Sequence, residues 1–138
     1  MAPVLDVVGL VTSDLAASLA FYRRLGLSVP DGAEAEPHVE VTLPGGVRLC
    51  WDPVATIHSF DPQWTPPPSG SGHRASLAFR CADPAEVDAV HADLVSAGYG
   101  SKHDPWDAFW GQRYATVLDP DGTPVDLYAP LSAAEAPA

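Results

Sequence analysis

Two halves of the sequence repeat the same order of structural signals. Each half has an apolar strand, an aspartate that can cap a helix, an apolar stripe at helical spacing, a glycine that ends the helix, and a β-hairpin with a Pro-x-Gly turn. Asp14 corresponds to Asp83, 69 residues later, and Gly26 corresponds to Gly98. A repeat of a whole unit remains recognisable even if one of its helices or strands is assigned wrongly. The chain is therefore predicted to be an α+β protein built from two similar modules.

The repeat also divides the chain into segments. We expect one domain over residues 1–138, with module one at about 4–52, a connecting loop at 53–73, module two at about 74–130 and a tail at 131–138. The loop has five prolines from Pro53 to Pro68, so it is predicted to form neither a regular helix nor a regular strand. It either covers a pocket with Phe60 and Trp64 or simply connects the modules, and the sequence leaves both interpretations open.

The composition restricts the classes of partner. Eighteen acidic against seven basic side chains give a formal net charge of -11, which disfavours nucleic acid because binding phosphates needs clustered Lys and Arg. A cationic ligand is the natural opposite, although acidity can equally serve solubility. No apolar run approaches the ~20 residues of a membrane span, and no secretory signal opens the chain. A cytoplasmic protein with reduced Cys50 and Cys81 is expected.

Alternation along the strands separates two faces of each predicted sheet. Apolar and polar residues alternate in two predicted hairpins, at about 38–51 and 112–128, and the sequence leaves open a short extra strand at 27–29. The apolar face packs against the helices, and the opposite face lines either a ligand cavity or ordinary solvent-exposed sheet. That opposite face includes His38, Glu40, Thr42, Arg48 and Cys50 in module one, and Ser76, Gln112, Tyr114, Thr116, Asp126 and Tyr128 in module two.

The last hairpin resembles that of a known superfamily. The stretch from Phe109-Trp-Gly through the turn Asp119-Pro-Asp-Gly to Tyr128 is similar to the C-terminal hairpin of the vicinal oxygen chelate superfamily, which contains glyoxalases, extradiol dioxygenases and bleomycin-resistance-type binding proteins. The resemblance covers residues 4 to 130. It implies two βαβββ modules forming a curved mixed sheet around a shared cavity, with Asp126 facing that cavity. Trp110-Gly111 resembles the Trp-Gly of drug-binding relatives.

The metal chemistry of the superfamily is not expected in this chain. In its metal-using members the ligands lie on the first and last strands of each module. Through the internal repeat, the resemblance carries these positions to Val7, Cys50, Ser76 and Asp126. Valine has no donor atom and serine is a poor ligand, so the set does not supply a competent shell. No metal and no cofactor are predicted, while a set of His38 and Glu40 with Asp126 is left open.

The leading hypothesis is a metal-free binding protein that resembles the bleomycin-resistance branch. It would sequester a planar or cationic organic molecule, such as an antibiotic, with rings stacking on the ligand and carboxylates supplying negative charge. The predicted ligand-binding residues are His38, Glu40, Cys50, Trp106, Phe109, Trp110, Tyr114 and Asp126. No catalytic residue is assigned. The resemblance to relatives of this size implies a homodimer, and neither nucleic acid nor a membrane is expected as a partner.

Two other classes are left open. One is an enzyme of the same superfamily, a lyase, isomerase or dioxygenase-like protein with an unusual metal shell or with Asp126, Glu40 or Tyr114 as acid or base. The other is a scaffold or regulatory domain whose cavity is vestigial. The rings around Trp110 fit ligand stacking, but they equally fit a dimer interface or a core.

Overall fold

The structure is a computed structural model that describes residues 2–68 and 72–132. The chain divides into two compact units, Met1–Pro67 and Pro68–Ala138, with the boundary inside the predicted connecting loop. Residues 69–71 of that loop and residues 133–138 of the predicted tail lie outside the described part. The assignment of residues 1–138 to one domain stays a prediction.

The first unit contains a three-stranded mixed sheet. Its elements are β1 (Val7–Thr12), α1 (Leu15–Leu25), a 3₁₀ turn (Ala33–Ala35), β2 (Val39–Thr42), β3 (Arg48–Pro53) and α2 (Val54–His58). Strand β3 lies in the centre, parallel to β1 and antiparallel to β2. Helix α1 begins as predicted, because the Asp14 carboxylate accepts a hydrogen bond from the backbone N–H of Ala17 at 3.0 Å. It ends at Gly26, which has a φ of 123°, a backbone conformation that residues with a side chain rarely adopt.

Two features of the first unit differ from the sequence expectations. The optional strand at 27–29 does not form, and the Arg23 guanidinium donates hydrogen bonds to the carbonyls of Val29, at 3.3 Å, and Pro30, at 2.6 Å. The prediction that the loop after Pro53 lacks regular structure is wrong for α2. This short helix starts directly after Pro53, and no proline interrupts it before its end at His58, so Ile57 can be buried.

The second unit has the complete βαβββ order. Its elements are β4 (Leu77–Arg80), α3 (Pro84–Ser96), β5 (Ser101–Ala108), β6 (Gln112–Leu118) and β7 (Pro124–Pro130). The strand order is β4-β7-β6-β5, with β4 parallel to β7 and the other neighbours antiparallel. The Asp83 carboxylate caps α3 by accepting from the Glu86 N–H at 2.8 Å, and the Glu86 carboxylate accepts from the Ala82 N–H in return.

The α+β class predicted from the repeat and the mixed strands implied by the resemblance are confirmed. Each unit has its own core. Alternation correctly predicted the buried strand residues at the centre of each core, and helical spacing predicted the buried helix residues. The buried side chains include Leu19, Phe21, Tyr22, Leu49 and Trp51 in the first unit, and Val87, Leu94, Ala115, Val117, Val125 and Leu127 in the second. The shared cavity stays a prediction. Within the described ranges no helix is long and apolar enough to cross a membrane.

Both cysteines are buried free thiols, and Cys81 is expected to be chemically inert. Burial, with the nearby charges of Glu86 and Asp83, raises the pKa of the Cys81 thiol to about 11. At pH 8 only about one Cys81 in a thousand is then a thiolate, against about one in four for an ordinary cysteine. In a Cys50→Ser variant, Ellman's reagent should react with Cys81 at least about 100-fold more slowly before than after unfolding in urea. Equal rates would contradict this burial.

Candidate functional site

The pairing of β6 with β7 brings polar side chains together around Asp126. Thr116 lies directly opposite Asp126 in the register, and Tyr114 lies opposite Tyr128. The Tyr114 hydroxyl donates to Asp126 Oδ2 at 2.5 Å, and the Thr116 hydroxyl donates to Oδ1 at 2.7 Å. Ser76, just before β4, donates to Oδ2 at 3.3 Å. Three hydroxyl groups therefore fix the orientation of this carboxylate.

The turn between β6 and β7 sets that register. The Asp119 carboxylate is 5% exposed and accepts hydrogen bonds from the backbone N–H groups of Asp121 and Thr123, both at 2.9 Å. Gly122 completes the turn with a φ of 83°. The turn predicted from Asp119-Pro-Asp-Gly is thus present, and it determines which residue of β6 faces Asp126.

A cavity of about 300 Å³ lies next to Asp126 within the second unit. Its lining is predominantly polar and carries basic groups. The lining residues are His73, Arg74, Ala75, Ser76, Lys102, His103, Tyr114, Thr116, Pro124 and Asp126. Within residues 2–68 and 72–132, neither Arg74 nor Lys102 forms an ion pair, so both charges are available to a ligand. We call this feature the Asp126 cavity.

Tyr114 acts in this cavity as a hydrogen-bond donor. Burial raises the pKa of its phenol far above the ordinary value, and the hydrogen bond to Asp126 raises it further. Tyr114 therefore keeps its proton near neutral pH. This protonation favours a role in orienting Asp126 or a ligand, and it argues against Tyr114 as a general base.

An aromatic cluster of Trp106, Phe109 and Trp110 adjoins the cavity through Tyr114. Trp110 contacts Tyr114, Trp106 and Phe109 edge to face, with ring centroids 5.3, 5.4 and 4.9 Å apart. Phe109 is 90% exposed, and the two tryptophans are also exposed. The Trp110 indole N–H donates to the Gln112 side chain at 2.8 Å. The cluster is therefore a surface feature beside the cavity and does not line it.

In the first unit, His38 lies between two carboxylates. Its Nδ1 is 2.5 Å from Asp52 Oδ1, and its Nε2 is 2.7 Å from Glu40 Oε2. The hydrogen bond to Glu40, then that to Asp52, raises the pKa of His38 above its ordinary value. Arg48 pairs with the other Glu40 oxygen and with Asp6, both at 2.6 Å. His38 and Arg48 therefore contact three carboxylates in this network.

The positions that hold a metal in the superfamily supply few donor atoms in this chain. Val7 offers no donor atom, and Gly9, which pairs with Cys50 in the register, offers none either. Both Asp126 oxygens already accept hydroxyl hydrogen bonds, one of them from Ser76. This donor set does not fit a divalent cation, in agreement with the sequence argument.

The structure brings together only part of the predicted ligand-binding set. Tyr114 and Asp126 line the Asp126 cavity, and Trp106, Phe109 and Trp110 form the adjacent cluster. His38, Glu40 and Cys50 lie together in the first unit, where Cys50 is buried. The sequence analysis missed the contributions of His73, Arg74, Lys102, His103 and Asp52. Alternation could have found Asp52, because it is two residues from Cys50 on the same strand.

Comparison with known proteins identifies the family. The sequence model of the Glyoxalase/Bleomycin resistance protein/Dioxygenase superfamily matches residues 4–127. The chain belongs to this superfamily, as the resemblance of its last hairpin implied. No curated protein sequence matches the chain significantly.

Solved structures agree on the fold. A glyoxalase/bleomycin resistance protein/dioxygenase from Nocardioides is 25% identical, with a TM-score of 0.74 over 96% of this chain and 87% of that chain. A glyoxalase/bleomycin resistance protein/dioxygenase family enzyme from Burkholderia phytofirmans PsJN is 19% identical, with a TM-score of 0.78 over 92% of this chain and 98% of that chain. A lactoylglutathione lyase from Agrobacterium tumefaciens is 22% identical, with a TM-score of 0.67 over 94% and 95%. The Burkholderia and Agrobacterium proteins are less than 25% identical to this chain, so their similarity establishes the fold alone.

Proposed function

We propose that the chain is a small-molecule-binding protein that holds its ligand in the Asp126 cavity. The observation that carries the proposal is a cavity with four basic side chains around a carboxylate whose orientation is fixed by Tyr114, Thr116 and Ser76. Its volume of about 300 Å³ is at the lower end of the range for small-molecule sites. A few placed polar groups beside aromatic surface are typical of such sites.

The ligand proposed for this cavity carries an acidic group. Arg74 and Lys102 provide two positive charges, and His73 and His103 provide further N–H donors. A hydroxyl or amine of the ligand would donate to Asp126. The cationic ligand expected from the net charge is less favoured here, because the local charge of the cavity is opposite in sign to that of the whole chain.

The planar part of the expected ligand fits the aromatic cluster. A ring held beside Tyr114 would lie close to Trp110, which contacts Tyr114 at 5.3 Å between centroids. Offset or edge-to-face ring contacts contribute about 0.5–1.5 kcal/mol each beyond burial. We therefore propose an aromatic or conjugated acid as the ligand class.

The proposed mechanism is capture without chemical conversion, as in the bleomycin-resistance proteins that the sequence resembles. Capture needs no ion at Asp126, because three hydroxyl groups already donate to the carboxylate. Since a carboxylate has about four lone-pair sites, it can still accept one hydrogen bond from the ligand. An antibiotic with a carboxylate would suit the cavity. The homodimer and the cytoplasmic location expected from the sequence are kept as parts of this proposal.

A matched set of probes tests the proposal. Mandelate carries a ring, a hydroxyl and a carboxylate, whereas methyl mandelate lacks the charge and benzylamine reverses it. Tryptophan fluorescence and calorimetry should show mandelate binding at least about tenfold more tightly than either competitor, because each charge-assisted hydrogen bond contributes about 1.5–3 kcal/mol. If benzylamine binds more tightly than mandelate, the ligand is expected to be a cation and the proposed acidic ligand is wrong.

Variants locate the binding in the cavity. The double variant Arg74→Gln/Lys102→Gln should weaken mandelate binding by at least about tenfold. Arg80→Gln is the matched control, because Arg80 is exposed on β4 of the same unit but does not line the cavity. If Arg80→Gln weakens binding as much as the double variant does, the attraction is a general charge effect and the site assignment is wrong.

A further inference from the structure

Strands β2 and β3 place four potential metal donors on one face of the first unit. Glu40 pairs with Cys50 in the antiparallel register, and Val39 pairs with Trp51. Continuing the ladder by one residue sets His38 opposite Asp52, where their side chains are 2.5 Å apart. Because side chains alternate along a strand, all four donors point to the same side. The face therefore presents an imidazole, a thiol and two carboxylates.

We propose that His38, Cys50 and Asp52 bind a borderline divalent cation of the Zn²⁺ type, with Glu40 beside them. One ligand atom from each of the three residues lies within 4.8 Å of the others. In a tetrahedral zinc shell, bond lengths of about 2.0–2.3 Å place neighbouring ligand atoms roughly 3.3–3.8 Å apart. Side-chain rotations that move atoms by about 1 Å would thus close the shell.

Gly9 leaves space for an ion next to the thiol. It pairs with Cys50 on the other edge of β3, in β1. A Cβ added at residue 9 would contact Cys50 Sγ at 3.4 Å, so a side chain there would occupy the space beside the sulfur. Gly9 has no positive φ, and its lack of a side chain is therefore not explained by backbone conformation. The space beside Sγ that a Cβ at residue 9 would fill is a second, independent observation that favours a ligand there.

The donor set selects the class of cation. Thiolate and imidazole suit Zn²⁺ and Co²⁺, whereas Mg²⁺ and Ca²⁺ require mainly oxygen donors. Binding replaces the thiol proton of Cys50 with the metal and breaks the hydrogen bond between His38 and Asp52. Three protein ligands leave one position of a tetrahedral shell for water or for Glu40. The site includes Cys50, one of the four positions that the resemblance gives for the superfamily's metal ligands, but its other ligands, His38 and Asp52, lie outside that set. It revises the sequence prediction of no metal for the first unit.

Cobalt provides a direct test, because a thiolate bound to Co²⁺ gives a charge-transfer absorption in the near ultraviolet that oxygen and nitrogen ligands do not give. Apoprotein titrated with Co²⁺ should develop this band with an end point of one ion per chain, and Zn²⁺ should abolish it. Cys81→Ser is the matched control and should keep the band, whereas Cys50→Ser should lose it. Circular dichroism verifies that each variant is folded.

Because His38 is exposed, the His38→Gln variant should fold even if Cys50→Ser does not, and it provides a second test of the proposal. We expect it to weaken Zn²⁺ binding, measured by competition with a chromophoric chelator, by at least about tenfold. Gly9→Val should weaken binding as well. Absence of the band in folded wild-type protein, its persistence in Cys50→Ser, or unchanged affinity in His38→Gln would overturn the proposal. None of these outcomes bears on the Asp126 cavity, which lies in the other unit.

Discussion

Replacing Trp51 with alanine is expected to lower the free energy of unfolding by about 3–5 kcal/mol, the largest effect of any single change considered for this chain. Trp51 lies on the central strand β3, is fully buried, and contacts the Tyr22 ring edge to face at 5.3 Å between centroids. Alanine would remove nearly the whole side chain and leave a cavity beside Tyr22. Urea unfolding followed by circular dichroism measures the loss.

Trp51→Phe separates packing from hydrogen bonding at the same position. Within the described residues the Trp51 indole N–H has no acceptor, so removing it sacrifices no hydrogen bond. Phenylalanine keeps an aromatic ring against Tyr22, and we expect a loss of only about 1–2 kcal/mol. If both variants lose the same free energy, the indole makes an essential polar contact and packing is not the main contribution.

Replacing Asp126 with alanine is expected to destabilise the protein by about 2–3 kcal/mol even without a ligand. Tyr114, Thr116 and Ser76 would lose their common acceptor, and Thr116 is only 3% exposed, so water cannot readily replace it. Urea unfolding at neutral pH measures this change. A loss below about 0.5 kcal/mol would mean that the hydroxyls find other partners.

Asp126→Asn is the matched variant for this position. Asparagine keeps the shape and one carbonyl oxygen, so it can still accept from Thr116 or Tyr114, but hydrogen bonds to a neutral group are roughly half as strong. We expect about half the destabilisation of the alanine variant. A loss as large as that of alanine would assign the stabilising effect to the negative charge and not to the hydrogen bonds.

The local signals in the sequence predicted much of the fold. Asp14 and Asp83 cap the two long helices, and both hairpins form with the predicted turns. These features depend on residues close together in sequence, where caps and turn residues act directly on the backbone. The helix after Pro53 was missed, because the many prolines of the following loop outweighed a five-residue stretch without any.

The candidate sites were less predictable, because they depend on contacts between distant segments. Tyr114 and Asp126 were found, since both lie on the hairpin that resembles the superfamily. Arg74 lies in a connection, where alternation gives no direction, and it reaches the cavity only because β4 pairs in parallel with β7. The predicted hairpin stopped at Trp51, but β3 extends to Pro53 and places Asp52 opposite His38. Predicting these neighbours requires knowing which strands pair with each other, and not only where strands form.

The turn held by the buried Asp119 carboxylate limits how the second unit can change in evolution. Since successive side chains of a strand point to opposite faces, one residue inserted between Leu118 and Pro124 would rotate every side chain of one strand relative to its partner. Asp126 would then turn away from Tyr114 and Thr116. In descendants of this sequence, the span from Thr116 to Asp126 should therefore change only by substitution.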